Sequence, residues 1–246
     1  MNPSPSFISH LIELRDRLLR AVIVFIAVLV CLLPFANQIY TLLAQPLLSQ
    51  LPVGGQMIAT AVTTPFFVPM KVAMLAAMVI TLPHTLYQVW AFVAPGLYAH
   101  ERRFIGPLVI ASTLLFIAGM SFAYFAVFPV IFGFIAHTAP KGVAVMTDIG
   151  NYLDFVISLF VAFGVAFEVP IAVVVLVRLG MVDIKTLKEI RSYVIVGAFV
   201  VGAVFTPPDV VSQIMLAVPL WLLYEAGILA AGFMLPKPQP MIQPPQ

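Results

Sequence analysis

Long apolar runs alternate with short polar segments along this chain. The runs fall at about 18–37, 70–93, 104–127, 152–177, 193–205 and 210–232, and most of the charged residues lie between or beside them. A helix needs about 20 apolar residues to cross a hydrocarbon core of about 30 Å. Each run of that length therefore predicts a spanning helix. The run 193–205 has only 13 residues and is too short to cross an unthinned core upright. The run 210–232 is interrupted by Pro219 and soon meets Glu225. The last two helices are thus expected to be short and to sit in thinned bilayer. Thr206-Pro207-Pro208-Asp209 between them predicts a tight turn, because neither proline continues a helix.

Finer patterns fill in the flanks. In 7–20, Phe7, Leu11, Leu14 and Leu18 recur at helical spacing, while Glu13, Arg17 and Arg20 face another way. This predicts an interfacial amphipathic helix running into the first span, with Ser9 as its cap. The segment 39–70 holds six prolines and glycines and no charge at all. It is expected to form an ordered cap with short helices at 40–51 and 65–70, since so apolar a loop left free would aggregate. Pro83 predicts a kink in the second span. The segments 136–151 and 180–192 read as loops, and the Pro-rich tail 236–246 as disordered. One six-helix domain over 1–235 accounts for the rest.

Composition narrows the class. The 246 residues are 62% hydrophobic and 9% charged, with mean hydropathy +1.10. A soluble domain carries about a quarter charged residues, so this chain is expected to be an all-α integral membrane protein. Of 12 lysines and arginines, ten fall on one side if the N-terminus is cytoplasmic, leaving Lys71 and Lys141 outside. That bias predicts both termini in the cytoplasm. Glu13 and Asp16 before the first run, and no small-residue cleavage site after it, argue against a signal peptide. The single Cys31 excludes an internal disulfide, and the four histidines show no metal-ligand spacing. No metal, cofactor or nucleic-acid partner is expected.

Three places carry chemistry. The loop Ala94-Pro-Gly-Leu-Tyr-Ala-His-Glu-Arg-Arg103 sets Glu101, Arg102 and Arg103 side by side between two spans. Glu13 is a second carboxylate on the same side. Each can simply pair with its neighbours, Glu13 with Arg17 and Glu101 with Arg102 or Arg103, or offer itself to a ligand. Glu168 lies at membrane depth just before Pro170, where a carboxylate is costly. It faces a cavity or partner, or it makes a structural hydrogen bond. Motifs for hydrolase, metalloprotease or phosphate chemistry are lacking, so the chain is not expected to be an enzyme. A small-solute transporter working through Glu168 would call for internal repeats, and none is visible. A purely structural scaffold would not need Glu13 and Glu101.

The stretch HLIELRDRLL at 10–19 resembles the amino-terminal signature of TatC, the core subunit of the twin-arginine protein translocase. FVAPGLYAHERR at 92–103, Thr64-Pro65-Phe66-Phe67, AFGVAFEVP at 162–170 and FTPPDVVSQ at 205–213 are similar to further TatC motifs, in the same order. The resemblance implies six spanning helices in a concave, glove-like wall. It implies binding of twin-arginine signal peptides of folded precursors, proton-motive-force-driven transport across the bacterial inner membrane, and single-span TatA- and TatB-type partners. A homo-oligomer within a receptor complex is expected too. By motif, Glu13 and Glu101 match the carboxylates that receive the arginine pair, with Phe92, Leu97, Arg102 and Arg103 around them and Arg17 beside Glu13. Thr206 and Gln213 match a partner-binding patch. Pro46, Phe66, Tyr124, Glu168 and Asp209 match other functionally sensitive positions.

Overall fold

A computed structural model describes residues 7–48, 57–93, 105–138, 148–205 and 210–234. Apolar runs in these segments form ten α-helices, since a helix satisfies its own backbone where lipid offers no partner. Helix α1 (Phe7–Leu32) is followed by a single 3₁₀ turn at Leu33–Phe35, where Pro34 enters, and then by α2 (Ala36–Leu48). The result is one long rod rather than a span followed by a loop. Helix α3 (Thr64–Val93) keeps both Pro69 and Pro83 inside it. The expected short helix at 65–70 is its first turns. Ser9 lies within α1 and so does not cap it, because the helix begins at Phe7.

Helix α4 (Ile105–Phe122) passes through a π-helical turn, Ala123–Val127, into α5 (Phe128–Thr138). Helix α6 (Ile149–Phe167) hands over at Glu168 to α7 (Val169–Arg178), with Pro170 in the first turn of α7. The polar stretch expected as a loop contains α8 (Ile184–Glu189). Helix α9 (Arg191–Phe205) has 15 residues, as its short apolar run requires. Helix α10 (Val210–Met234) runs for 25 residues through Pro219, so the shortness resides in α9. Five rods are long and apolar enough to span a membrane, and α9 is the shorter sixth. The Pro-rich tail falls outside the described residues.

The rods pack in a line. α1 lies on α3, α3 on α4, α4 on α6, α7 on α10, and α10 on α9. The product is an open, curved wall of six transmembrane helices rather than a closed bundle, and the apolar outer residues of α1 and α9 stay exposed for lipid. Its core is aromatic, with Phe128, Phe160 and Phe163 buried alongside Leu159 and Val127. Where α4 crosses α6, a Cβ on Gly119 would strike the Phe163 carbonyl, and one on Gly164 would strike the Phe116 ring. Small residues let two backbones meet closely, which is the main source of helix affinity in lipid. At the α10 end, Arg191 pairs with Glu225 at 2.5 Å, and the Tyr224 hydroxyl donates to the Leu187 carbonyl at 2.8 Å. Both contacts pin the 180–192 segment to α10.

Candidate functional site

Two polar stripes meet where α1 lies antiparallel on α3. On α1, His10, Glu13 and Arg17 are three and four residues apart and share a face. On α3, His84, Gln88 and Phe92 repeat every four residues. The ring of His10 stacks on Phe92 with centroids 4.3 Å apart. Arg17 grips Glu13 through Nη2 at 2.5 Å and Nε at 3.0 Å, while its Nη1 reaches the Oε1 of buried Gln88 at 3.5 Å. Gln88 in turn sits 3.3 Å from the His84 ring nitrogen. The polar side of α1 is therefore the side that packs, and Leu11, Leu14 and Leu18 point outward. Ser9, Ile12, Glu13, Asp16, Arg17 and Arg20 border an open concavity of about 340 Å³.

Of the two readings of Glu13, the structure shows the local ion pair. The pair is part-buried and braced by Gln88, so Arg17 is held in place from a second helix. Leu97, Glu101, Arg102 and Arg103 lie outside the described residues. Val93 and Ile105 flank that loop in sequence, and Val93 directly follows the Phe92 end of the seam. Sequence reasoning missed Gln88 and the pairing of His84 with it. The signal was present in the four-residue repeat that Phe92 completes.

Glu168 occupies the joint between α6 and α7. Both carboxyl oxygens are buried, and neither makes a hydrogen bond of full geometry among the described residues. Ser112 of α4 is the polar group facing it, and the Ser112 hydroxyl accepts from Trp90 Nε1 at 2.9 Å. The Ser112 contact from α4 is of the kind a structural hydrogen bond would make, so the structural reading and the cavity or partner reading of Glu168 both stand.

The remaining predicted positions scatter. Tyr124, in the π turn, donates to the Leu42 carbonyl at 3.4 Å. Four residues on from Leu42 is Pro46, which has no N–H to offer that carbonyl. The two sensitive positions thus describe one contact, although the Pro46 side chain itself is not among those described. Phe66 is largely exposed at the start of α3. Gln213 spends its amide on the Phe199 carbonyl of α9, 3.0 Å away, and packs on Gly202. This satisfies inside the chain a group expected to serve a partner. Thr206 and Asp209 lie outside the described residues. An ion pair not foreseen, Lys71 to Asp154 at 2.5 Å, ties α3 to α6.

These features define a multi-pass helical membrane protein whose polar chemistry gathers on one seam and at one buried carboxyl. The model of the family Sec-independent protein translocase protein (TatC) matches residues 9–219. The Sec-independent protein translocase protein TatC of Escherichia coli (strain K12) is 54% identical over 230 residues, covering 94% of this chain and 89% of the relative. That of Haemophilus influenzae (strain ATCC 51907 / DSM 11121 / KW20 / Rd) is 52% identical over 237 residues, covering 96% of this chain and 93% of the relative. A crystal structure of the twin arginine translocase receptor TatC superposes with a TM-score of 0.82 at 38% identity, covering 91% of this chain and 98% of that one. The chain belongs to the TatC family.

Proposed function

We propose that this chain is the signal-receiving subunit of a twin-arginine translocase, taking up folded precursors through their paired-arginine signal peptides. The observation that carries the reading is the Glu13–Arg17 pair braced by Gln88 beside an open concavity. A carboxylate already shaped to a guanidinium fork can exchange one arginine for another at little reorganisation cost. As an incoming guanidinium takes Glu13, the Gln88 oxygen keeps Arg17 from being stranded. The second arginine of the signal requires a second carboxylate, and Glu101 supplies it from the loop that follows Phe92. Leu97, Arg102 and Arg103 are its neighbours in that stretch of sequence. Lysine, a point charge, cannot fill the same fork.

The proposal extends to the setting. The chain sits in the bacterial inner membrane with both termini cytoplasmic, in keeping with its basic bias. It transports rather than catalyses, drawing on the proton-motive force. Single-span TatA- and TatB-type partners dock along the α9–α10 edge near Thr206 and Gln213, and copies of the chain assemble in a receptor complex. Glu168, buried at the α6–α7 joint beside Ser112, acts after signal binding, and Asp209 and Phe66 are further positions on which function depends.

Photocrosslinking of a twin-arginine precursor to the purified membrane complex tests the reading. Glu13→Ala and Glu101→Ala should each lower crosslinking about tenfold or more, the worth of one charge-assisted bond, while membrane insertion is unchanged. Full crosslinking and transport in both variants would sink it.

A further inference from the structure

An almost wholly apolar groove of about 410 Å³ runs between α4, α7 and the end of α10. Leu108, Ala111 and Leu115 line it from α4 at spacings of three and four. Ile171, Val174 and Arg178 line it from α7 in the same rhythm. Two apolar stripes thus face one another, and the α7 stripe ends at a basic residue, Arg178. From Pro170 to Arg178 the groove follows α7 for about 12 Å at about 1.5 Å per residue. Half of a ~30 Å hydrocarbon core is about 15 Å, so the groove has the depth of one leaflet. Its charged mouth lies at the interface, on the same face as the start of α1.

Depth and charge point to the occupant: a trough one leaflet deep with a basic mouth suits an apolar chain that ends in an anion. An extended acyl chain is thin enough to lie in it. A smaller concavity of about 180 Å³ flanks the other side of α10, between Ile228, Phe233 and Lys188. Each side of the end of α10 therefore joins an apolar trough to one basic side chain. Basic pockets between spanning helices on this side bind anionic headgroups, and a guanidinium meets a phosphate through two parallel bonds.

We infer that the α4–α7 groove is a binding site for an anionic glycerophospholipid, with one acyl chain along the two stripes and the phosphate on Arg178. The site is separate from the α1–α3 seam.

Native mass spectrometry of the full chain, exchanged into detergent with equal phosphatidylglycerol and phosphatidylcholine of matched chains, tests it. The wild type should retain phosphatidylglycerol about fivefold or more over phosphatidylcholine, the worth of one interfacial charge. Arg178→Gln should bring the ratio close to one while lipid is still retained. Ala111→Phe, which fills the groove and leaves the charge, should cut retention of both lipids. A benzophenone amino acid at Leu108 should crosslink lipid in membranes. No preference in the wild type, an unchanged ratio in Arg178→Gln, unchanged retention in Ala111→Phe, or crosslinks from Leu108 to a partner protein instead would each overturn the inference.

Discussion

Asp148 and Thr60 are 88 residues apart, and one carboxylate joins them. Its Oδ2 accepts from the Thr60 hydroxyl at 2.7 Å and the Thr60 N–H at 2.9 Å. Its Oδ1 caps α6 through the N–H groups of Gly150 and Asn151 at 2.9 and 3.0 Å. The Thr60 hydroxyl first, then the backbone donors of Asn151, Thr60 and Gly150, hold this carboxyl down at about 2. A depressed carboxyl stabilises the fold in full above its unfolded value of about 3.9 and loses that contribution as pH falls towards about 2. The latch is therefore constant near neutrality. Hydrogen exchange should find Thr60 protected at pH 7 in the wild type and exchanging at least tenfold faster in Asp148→Ala, about the worth of one such bond. Equal protection in the two would mean the loop 57–63 is held by other contacts. The sequence placed Asp148 in a loop of unremarkable polarity, since a cap to a segment so distant leaves no local pattern.

At the scale of elements, proline chemistry and tyrosine chemistry complete one another. Pro46 denies α2 a hydrogen bond at the Leu42 carbonyl, and the Tyr124 hydroxyl, brought in by the π turn, supplies one. Tyr152 also donates to α2, at the Leu43 carbonyl 3.1 Å away. Such bonds are worth on the order of 1 kcal/mol in a membrane. Tyr124→Phe should lower Tm by about 2–4 °C. In a Pro46→Ala background the loss should shrink, because the alanine N–H can meet the same carbonyl. Equal losses in both backgrounds would separate the two residues again.

For the whole molecule, the wall depends on its middle seam. α4 and α6 approach through Gly119 and Gly164, and nothing flexible can yield at Gly119, where a side chain would meet the Phe163 backbone. Overpacking of this kind costs about 1–3 kcal/mol. Gly119→Leu should lower Tm by about 5 °C or more, whereas Gly197→Ala, with open space around it, should be neutral. A tolerated Gly119→Leu would show that the seam can spread. An open wall also leaves both of its ends, α1 and α9, without a protein neighbour on one side. That is the shape expected of a subunit that works in an assembly.

Some of this was written locally. Period and length pointed to apolar helices, because lipid forces an apolar run to satisfy its own backbone, but not to where the first rod ends. Charge placement and the long motifs gave the family and pointed to Glu13 and Phe92. Residues 94–104, which hold Glu101, stay expectations from sequence. What only tertiary structure decided is which helix faces which. Nothing within α1 says that its polar side meets α3, that Gln88 braces Arg17, or that Gln213 is spent on Phe199. In lipid, apolar burial does not choose between faces, so the choice falls to close backbone contact and to polar groups that find one another across the chain.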